Sequence, residues 1–332
     1  MGFWLRHLFH PERYHGRGRK PPFFEGWYYK LVDSTEEHRL AVIPGIFLSG
    51  DPAEHHAFVQ VLDGSTTSSA YHRFAPGEFE AARNHFEIRV GENLFTSERM
   101  ILDLDDTSGR VSGEVKFEGT VPWPVTLRSP GIMGWYAWAP FMECYHGVLS
   151  LDHELSGELA KDGQALDFTG GRGYIEKDWG KSFPAAWIWV QTNHFAEQGT
   201  SLSASIAIIP WLSGAFPGFI VGLWHEGRLF RFATYTGART ERLEIGDDAI
   251  AWTVVDRRCR LEMYARRARG GLLHGPGRDR MHQRVSESLS GEVEVRLTTL
   301  NGRGIFAGTG RHAGVEVQGE LDRLLDLQRT QR

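Results

Sequence analysis

Glu176 and Asp178 stand two residues apart in Gly170-Gly-Arg-Gly-Tyr-Ile-Glu-Lys-Asp-Trp-Gly-Lys-Ser-Phe-Pro184, the densest concentration of titratable and aromatic side chains in the chain. Trp187, Trp189, Gln191 and Asn193 follow at once. Acids, tryptophans and amides packed this densely are residue types that line a ligand pocket, and burial among rings disfavours a carboxylate. Strand alternation after Pro184 puts Trp187, Trp189, Gln191 and Asn193 on one face and Ile188, Val190 and Thr192 on the other. The first face is either the wall of a pocket or an ordinary core whose amides bond to backbone.

A third acid, Glu25, stands among Phe23, Phe24, Trp27, Tyr28 and Tyr29. Desolvation there would keep it protonated, and a salt bridge to a nearby Lys or Arg would do the opposite. For a single acid the salt bridge is the commoner outcome. Glu143, Tyr145 and His146 form a further group in Met142-Glu-Cys-Tyr-His-Gly147, after the aromatic run Trp135-Tyr-Ala-Trp138. None of the zinc-ligand spacings is present, so no metal is expected. Cys144 has no neighbouring base that would make it a nucleophile. Phosphate-binding loops, dinucleotide fingerprints and a Gly-x-Ser-x-Gly elbow are likewise missing, and no cofactor is expected.

The elements that must hold these groups read as strands. Gly26-Trp-Tyr-Tyr-Lys-Leu-Val32, Arg39-Leu-Ala-Val-Ile43, Ala57-Phe-Val-Gln-Val-Leu62 and His85-Phe-Glu-Ile-Arg-Val90 are short and rich in β-branched and aromatic residues, with turn formers between them. The apolar region Ser201 to Trp224 is broken by Pro210, Gly214, Pro217 and Gly218, which fits two strands and a loop rather than a membrane helix. Glu320 to Gln328 is the best helix candidate. The class is all-β, with few helices.

The chain also repeats itself. Trp27 to Leu31, Leu40 to Pro44 and Phe58 to Gly64 are matched in order by Trp187 to Gln191, Ala204 to Pro210 and Phe219 to Gly227. Leu155-Ser-Gly-Glu158 and Gly171 to Glu176 are matched by Leu289-Ser-Gly-Glu292 and Gly310 to Glu316, at offsets of roughly 135 to 165 residues. Each half holds enough strands, about eight, to close an antiparallel barrel around a small apolar ligand. The expected organisation is an N-terminal extension over residues 1–20, a first barrel over 21–178 and a second over 179–332.

Composition narrows the partners. Of 332 residues 41% are hydrophobic and 24% charged, as in globular proteins, and the net charge of −5 gives no pull toward nucleic acid. Two cysteines make no disulfide framework, and residues 1–20 lack the apolar run of a signal peptide, so a cytoplasmic setting is expected. Contact of the basic N-terminal segment with a membrane stays open, as does oligomeric state.

Phe24-Glu-Gly-Trp-Tyr28, together with Gly173-Tyr-Ile-Glu-Lys-Asp-Trp-Gly-Lys-Ser-Phe-Pro184 and Trp187-Ile-Trp-Val-Gln-Thr-Asn193, resembles the tocopherol cyclase family. The resemblance extends from about Pro22 to Leu321 and more distantly to carotenoid hydratases and lipocalin-like Diels–Alder cyclases. It implies two lipocalin-like barrels in tandem and an isomerase that protonates a trisubstituted alkene of a prenylated quinol, then captures the tertiary cation on the phenol oxygen. It points to Glu176, Asp178 and Glu25 as candidate proton donors, in that order. Asp178 stands where the plant enzymes are expected to carry Asn. Trp179, Trp187 and Trp189 would line the path of the cation, Tyr28, Gln191 and Asn193 would orient the quinol hydroxyls, and Trp27, Tyr145 and His146 would contact the lipophilic substrate. Two other classes remain open: a non-catalytic carrier of an isoprenoid or other lipophile, and an interaction scaffold.

Overall fold

The computed structural model describes residues 8–212 and 214–330, so residues 1–7 of the expected N-terminal extension lie outside the described residues. The β-branched and aromatic runs form strands, joined by the Gly, Asp and Ser turns between them. Ser201–Trp211 and Gly214–His225 pair as an antiparallel hairpin, as the Pro and Gly interruptions require. The helix Leu321–Thr330 buries Leu324 in the core beside it. No helix among the described residues is long and apolar enough to cross a membrane.

Two large antiparallel sheets result. In the first, of twelve strands, Ser69–Phe74, His56–Asp63, Arg39–Leu48 and Phe23–Val32 form a meander. Arg172–Gly180 then lies beside Phe23–Val32, followed by Cys144–Lys161, Gly109–Glu118, Arg99–Asp106 and three short strands ending at Phe79–Ala81. The second, of ten strands, repeats the plan. Its meander is Arg228–Ala233, Gly214–His225, Ser201–Trp211 and Ala186–Thr192, and it continues through Gly304–Gly319, Met281–Thr299, Cys259–Arg266, Ala249–Val255 and Arg239–Ile245. Every paired sequence landmark falls on corresponding strands. Among the described residues the end strands of neither sheet bond to each other, so hydrogen bonds close neither barrel there.

The chain divides into two units, Met1–Phe183 with Gly271–Arg284, and Pro184–Gly270 with Val285–Arg332. Strand Arg172–Gly180 runs through 178/179, so the division falls a few residues later, at Phe183/Pro184. Each unit has its own apolar core. Trp27, Tyr29, Leu31, Leu40, Val42, Val59 and Ile175 belong to the first. Ile188, Val190, Leu202, Ile206, Val221 and Trp252 belong to the second. Each fully buried aliphatic or Phe side chain contributes about 1.5–3 kcal/mol of transfer free energy.

The strands that start each meander are buried on both faces. Every residue of Ala186–Thr192 is buried, and so is all of Phe23–Val32 except Gly26. Alternation therefore sends one set of side chains into the apolar core and buries the other set on the opposite face, where its polar groups must find partners. That opposite face carries much of the candidate chemistry.

Cys144–Lys161 pairs with Gly109–Glu118 through two close approaches of backbone. At Gly157 (φ 125°) and Gly113 (φ 134°) a Cβ would lie 2.3 Å from a carbonyl oxygen of the other strand. Gly157→Ala is expected to destabilise the protein by about 1–3 kcal/mol, read as a lower urea midpoint in equilibrium unfolding.

Candidate functional site

Strand Arg172–Gly180 lies between Phe23–Val32 and Cys144–Lys161, and its register fixes the neighbours of each side chain. Glu176 is opposite Tyr28 on one side and Val148 on the other, and Asp178 is opposite His146. Ile175 is in the core of the first unit, so Lys177 shares its face and Tyr174, Glu176 and Asp178 point the other way.

On that second face three titratable groups meet. His146 Nδ1 donates to Asp178 Oδ1 at 2.9 Å, and His146 Nε2 lies 3.7 Å from Glu176 Oε2. The Tyr174 hydroxyl donates to Glu176 Oε2 at 2.5 Å. Glu176 is 5% exposed. Burial by itself pushes the imidazolium toward deprotonation, but Asp178 and then Glu176 outweigh it and raise the His146 pKa from 6.5 to about 9. At neutral pH His146 is therefore a cation held between two carboxylates. One nitrogen and two carboxylate oxygens within 4.8 Å of one another also make a donor set that a divalent cation takes, once His146 has given up its proton.

The core-facing side of the same strand holds a separate group. Lys177 Nζ lies 2.5 Å from Glu25 Oε1, and both side chains are fully buried. Nζ also donates to the Pro11 carbonyl at 2.9 Å and to the Arg13 carbonyl, and sits 4.7 Å from the ring centroids of both Trp27 and Trp179. The His15 backbone N–H donates to both Glu25 oxygens at 2.9 Å, and its ring stacks on Trp179 at 4.4 Å. Tyr145 stacks on Trp179 as well, at 5.5 Å, and donates its hydroxyl to the Ala139 carbonyl.

This arrangement removes Glu25 as a neutral acid. Burial pushes its pKa up, but Lys177 and His15 more than reverse this and hold the carboxyl below its ordinary value. Burial in turn lowers Lys177 to about 8, against the opposing pull of Glu25. The salt bridge, the commoner outcome for such an acid, is the one found. The faces of Trp27 and Trp179 carry the Lys177 ammonium, whereas the resemblance puts Trp179 on the path of a substrate cation.

The third group belongs to the second unit. Ile188 and Val190 enter its core, so Trp187, Trp189, Gln191 and Asn193 lie on the face turned away from it, all buried. The expected pocket wall is thus not a lining of the second barrel's apolar core. Trp187 Nε1 donates to Glu316 Oε2 at 2.5 Å, and Glu287, 1% exposed, stands opposite Glu316 in register.

Of the residues singled out from sequence, Glu176, Asp178 and His146 meet, with Tyr28 opposite Glu176. Glu25, Trp27, Trp179 and Tyr145 meet on the other face of the sheet. Sequence reasoning missed Tyr174, Glu316, Glu287 and His15. Period-two alternation from Glu176 reaches Tyr174. The repeat reaches Glu316, which is opposite Trp189 in the second unit as Glu176 is opposite Tyr28 in the first. Glu287 and His15 carried no such signal.

A family model described as tocopherol cyclase-like matches residues 104–319. A probable chloroplastic tocopherol cyclase of Oryza sativa subsp. japonica is 29% identical over 119 residues, which is 34% of this chain and 25% of that protein. The chloroplastic tocopherol cyclase of Zea mays is 31% identical over 110 residues, 31% of this chain and 23% of that protein. The chain thus matches about a quarter of the length of these relatives. Among solved structures, CghA with Sch210972 aligns with a TM-score of 0.57 at 14% identity, covering 90% of this chain and 89% of that one. Kievitone hydratase from Nectria haematococca aligns at 0.51 and 12% identity, covering 93% and 94%. A putative AttH from Nitrosomonas europaea aligns at 0.51 and 14% identity, covering 89% and 92%. At these identities the structures establish the fold: two lipocalin-like antiparallel β-barrels in tandem.

The His146 shift fixes a pH dependence. Its folded pKa lies above the unfolded one, so its contribution to stability is fully present below pH 6.5 and is lost as pH rises through about 9. Wild-type protein is expected to lose on the order of 3 kcal/mol of stability from this group across that window. His146→Asn removes the loss, a difference read by urea unfolding at a series of pH values.

Proposed function

This chain belongs to the tocopherol cyclase-like family, and from that premise we propose that it is an enzyme that closes a ring in a lipophilic, prenyl-bearing phenol. The observation that carries the reading is the group of buried Glu176 and Tyr174 with half-buried His146 and Asp178, on a sheet face outside the apolar core. Such a group can hold, deliver and retrieve one proton.

Glu176 is the proton donor in this reading, and the proton it delivers comes to it from the His146 imidazolium, whose Nε2 lies 3.7 Å away. Its carboxyl proton is taken by the π electrons of the alkene, forming a C–H bond and a tertiary cation. A lone pair on the phenol oxygen then forms the C–O bond, and the proton of that O–H returns to Glu176. Atoms and charge balance, and product and substrate have the same mass. The His146 imidazolium, oriented by Asp178, lies beside the Glu176 carboxylate while it is ionised, and the Tyr174 hydroxyl donates to the same oxygen. Exclusion of water from the buried face would keep the cation from being quenched as an alcohol.

Tyr28, on the facing strand position, is assigned to orient a substrate hydroxyl. Trp187, Trp189, Gln191 and Asn193 belong to the second unit and are given no part in this step. Trp27, Trp179, Tyr145 and Glu25 are assigned a structural role, because the Lys177 network engages them. One observation favours a non-catalytic carrier: the Asp178–His146 pair is already charge-compensated without a reaction.

Incubation with a prenylated hydroquinone is expected to give an isomer of unchanged mass and new retention time. Glu176→Gln is expected to lower turnover by about a hundredfold or more while leaving ligand binding and Tm near the wild-type values. Wild-type turnover in that variant would remove Glu176 as the donor. Tight binding without product across several prenyl quinols would establish the carrier.

A further inference from the structure

Four of the eight large apolar side chains exposed among the described residues, Val125, Leu127, Trp135 and Phe141, fall within one short segment of the first unit. From Val121 to Met142 the sequence has no acidic residue and one cation, Arg128. We infer that this segment is a membrane-docking face that seats the protein on a bilayer containing anionic lipid. The inference is independent of the reaction proposed above.

The segment is built to present these side chains. Val125–Thr126 pairs with Ser129–Pro130, so Leu127, 76% exposed, and Arg128 form the tip of a hairpin. A single 3-10 turn, Gly134–Trp138, displays Trp135. Trp123, Ile132 and Met142 are buried and anchor the base, and Tyr145 clamps the end of the turn through the Ala139 carbonyl. The exposure is therefore a property of an anchored loop and not of a frayed one. Single exposed apolar residues need no explanation, whereas a cluster with Trp and Phe at its rim matches what enters the boundary between headgroups and acyl chains.

Charge selects the occupant. The chain carries a net charge of −5, yet Arg13, Arg17, Arg19 and Lys20 fall in a run from Arg13 to Phe24 without an acid. Arg128, at the hairpin tip, is exposed. Lys181, also exposed, donates its backbone N–H to the carbonyl of Glu143, next to Met142. An apolar hairpin tip that carries the exposed cation Arg128, in a segment without acids on a protein of net charge −5, fits anionic headgroups, which attract this face and repel the rest.

The full chain is to be sedimented with vesicles of phosphatidylcholine alone and of phosphatidylcholine with about one third phosphatidylglycerol, at low salt and at about 0.5 M salt. Binding to the anionic vesicles, falling as salt rises, is expected. Leu127→Ser with Trp135→Ser is expected to weaken it by about tenfold or more, and Arg128→Glu by about fivefold, on anionic vesicles only. Leu127→Ser alone changes one hairpin-tip side chain and guards against loss through misfolding, with Tm as the control. Failure of the wild type to bind either vesicle, or wild-type binding by the variants, overturns the inference. So does a dimer in analytical ultracentrifugation that the same substitutions dissolve, which would assign the face to a second copy of the chain.

Discussion

The Lys177–Glu25 pair sits at 0% exposure for both side chains, and much of the first unit is arranged around it. A lone ammonium in that position would cost several kcal/mol even after relaxation. Here the charge is met by a carboxylate, two backbone carbonyls, the His15 ring and two tryptophan faces. Those carbonyls belong to Pro11 and Arg13, so satisfying the charge also fixes the segment that leads into the first strand. Trp27 reinforces the tie by donating its indole N–H to the Glu12 carbonyl. Removing either charge would leave the other buried and unpaired, a loss of about 3–5 kcal/mol, larger than the net worth of the pair.

With the core face of strand Arg172–Gly180 occupied in this way, proton chemistry is left to the opposite face. The sequence Glu-Lys-Asp places charges of alternating sign on consecutive residues, and a strand sends them to opposite sides. Glu176 and Asp178 become neighbours of His146, while Lys177 is removed from them by the thickness of the sheet. That separation lets His146 be the cation between the two carboxylates and brings its pKa to about 9. An ammonium on the same side would compete for both acids.

The duplicated topology gives the second unit the same positions with different contents. Where the first unit has Tyr28 opposite Glu176, the second has Trp189 opposite Glu316, and Glu316 is bonded to Trp187 and faces Glu287 in register. A carboxylate on the strand beside the first strand of each meander is therefore common to both halves. The His–Asp partnership belongs to the first half.

Strand identity was legible in the sequence because short β-branched and aromatic runs between turn formers have few other options, and the repeat was legible because its landmarks lie on corresponding strands. Glu176, Asp178 and His146 stood out as candidates in two separate stretches, and alternation put Trp187, Trp189, Gln191 and Asn193 on one face. Which face of a strand meets the core was not legible where both faces are buried, since period two gives two sets of side chains and no label for either. For that reason the sequence leaves the tryptophan and amide row open between a pocket wall and an ordinary core. The state of Glu25 was also beyond the sequence: desolvation and an ion pair shift a carboxyl in opposite directions, and Lys177 is distant in the chain. Register across Phe23–Val32, Arg172–Gly180 and Cys144–Lys161 brought these groups together, and only tertiary structure sets register between strands so far apart in sequence.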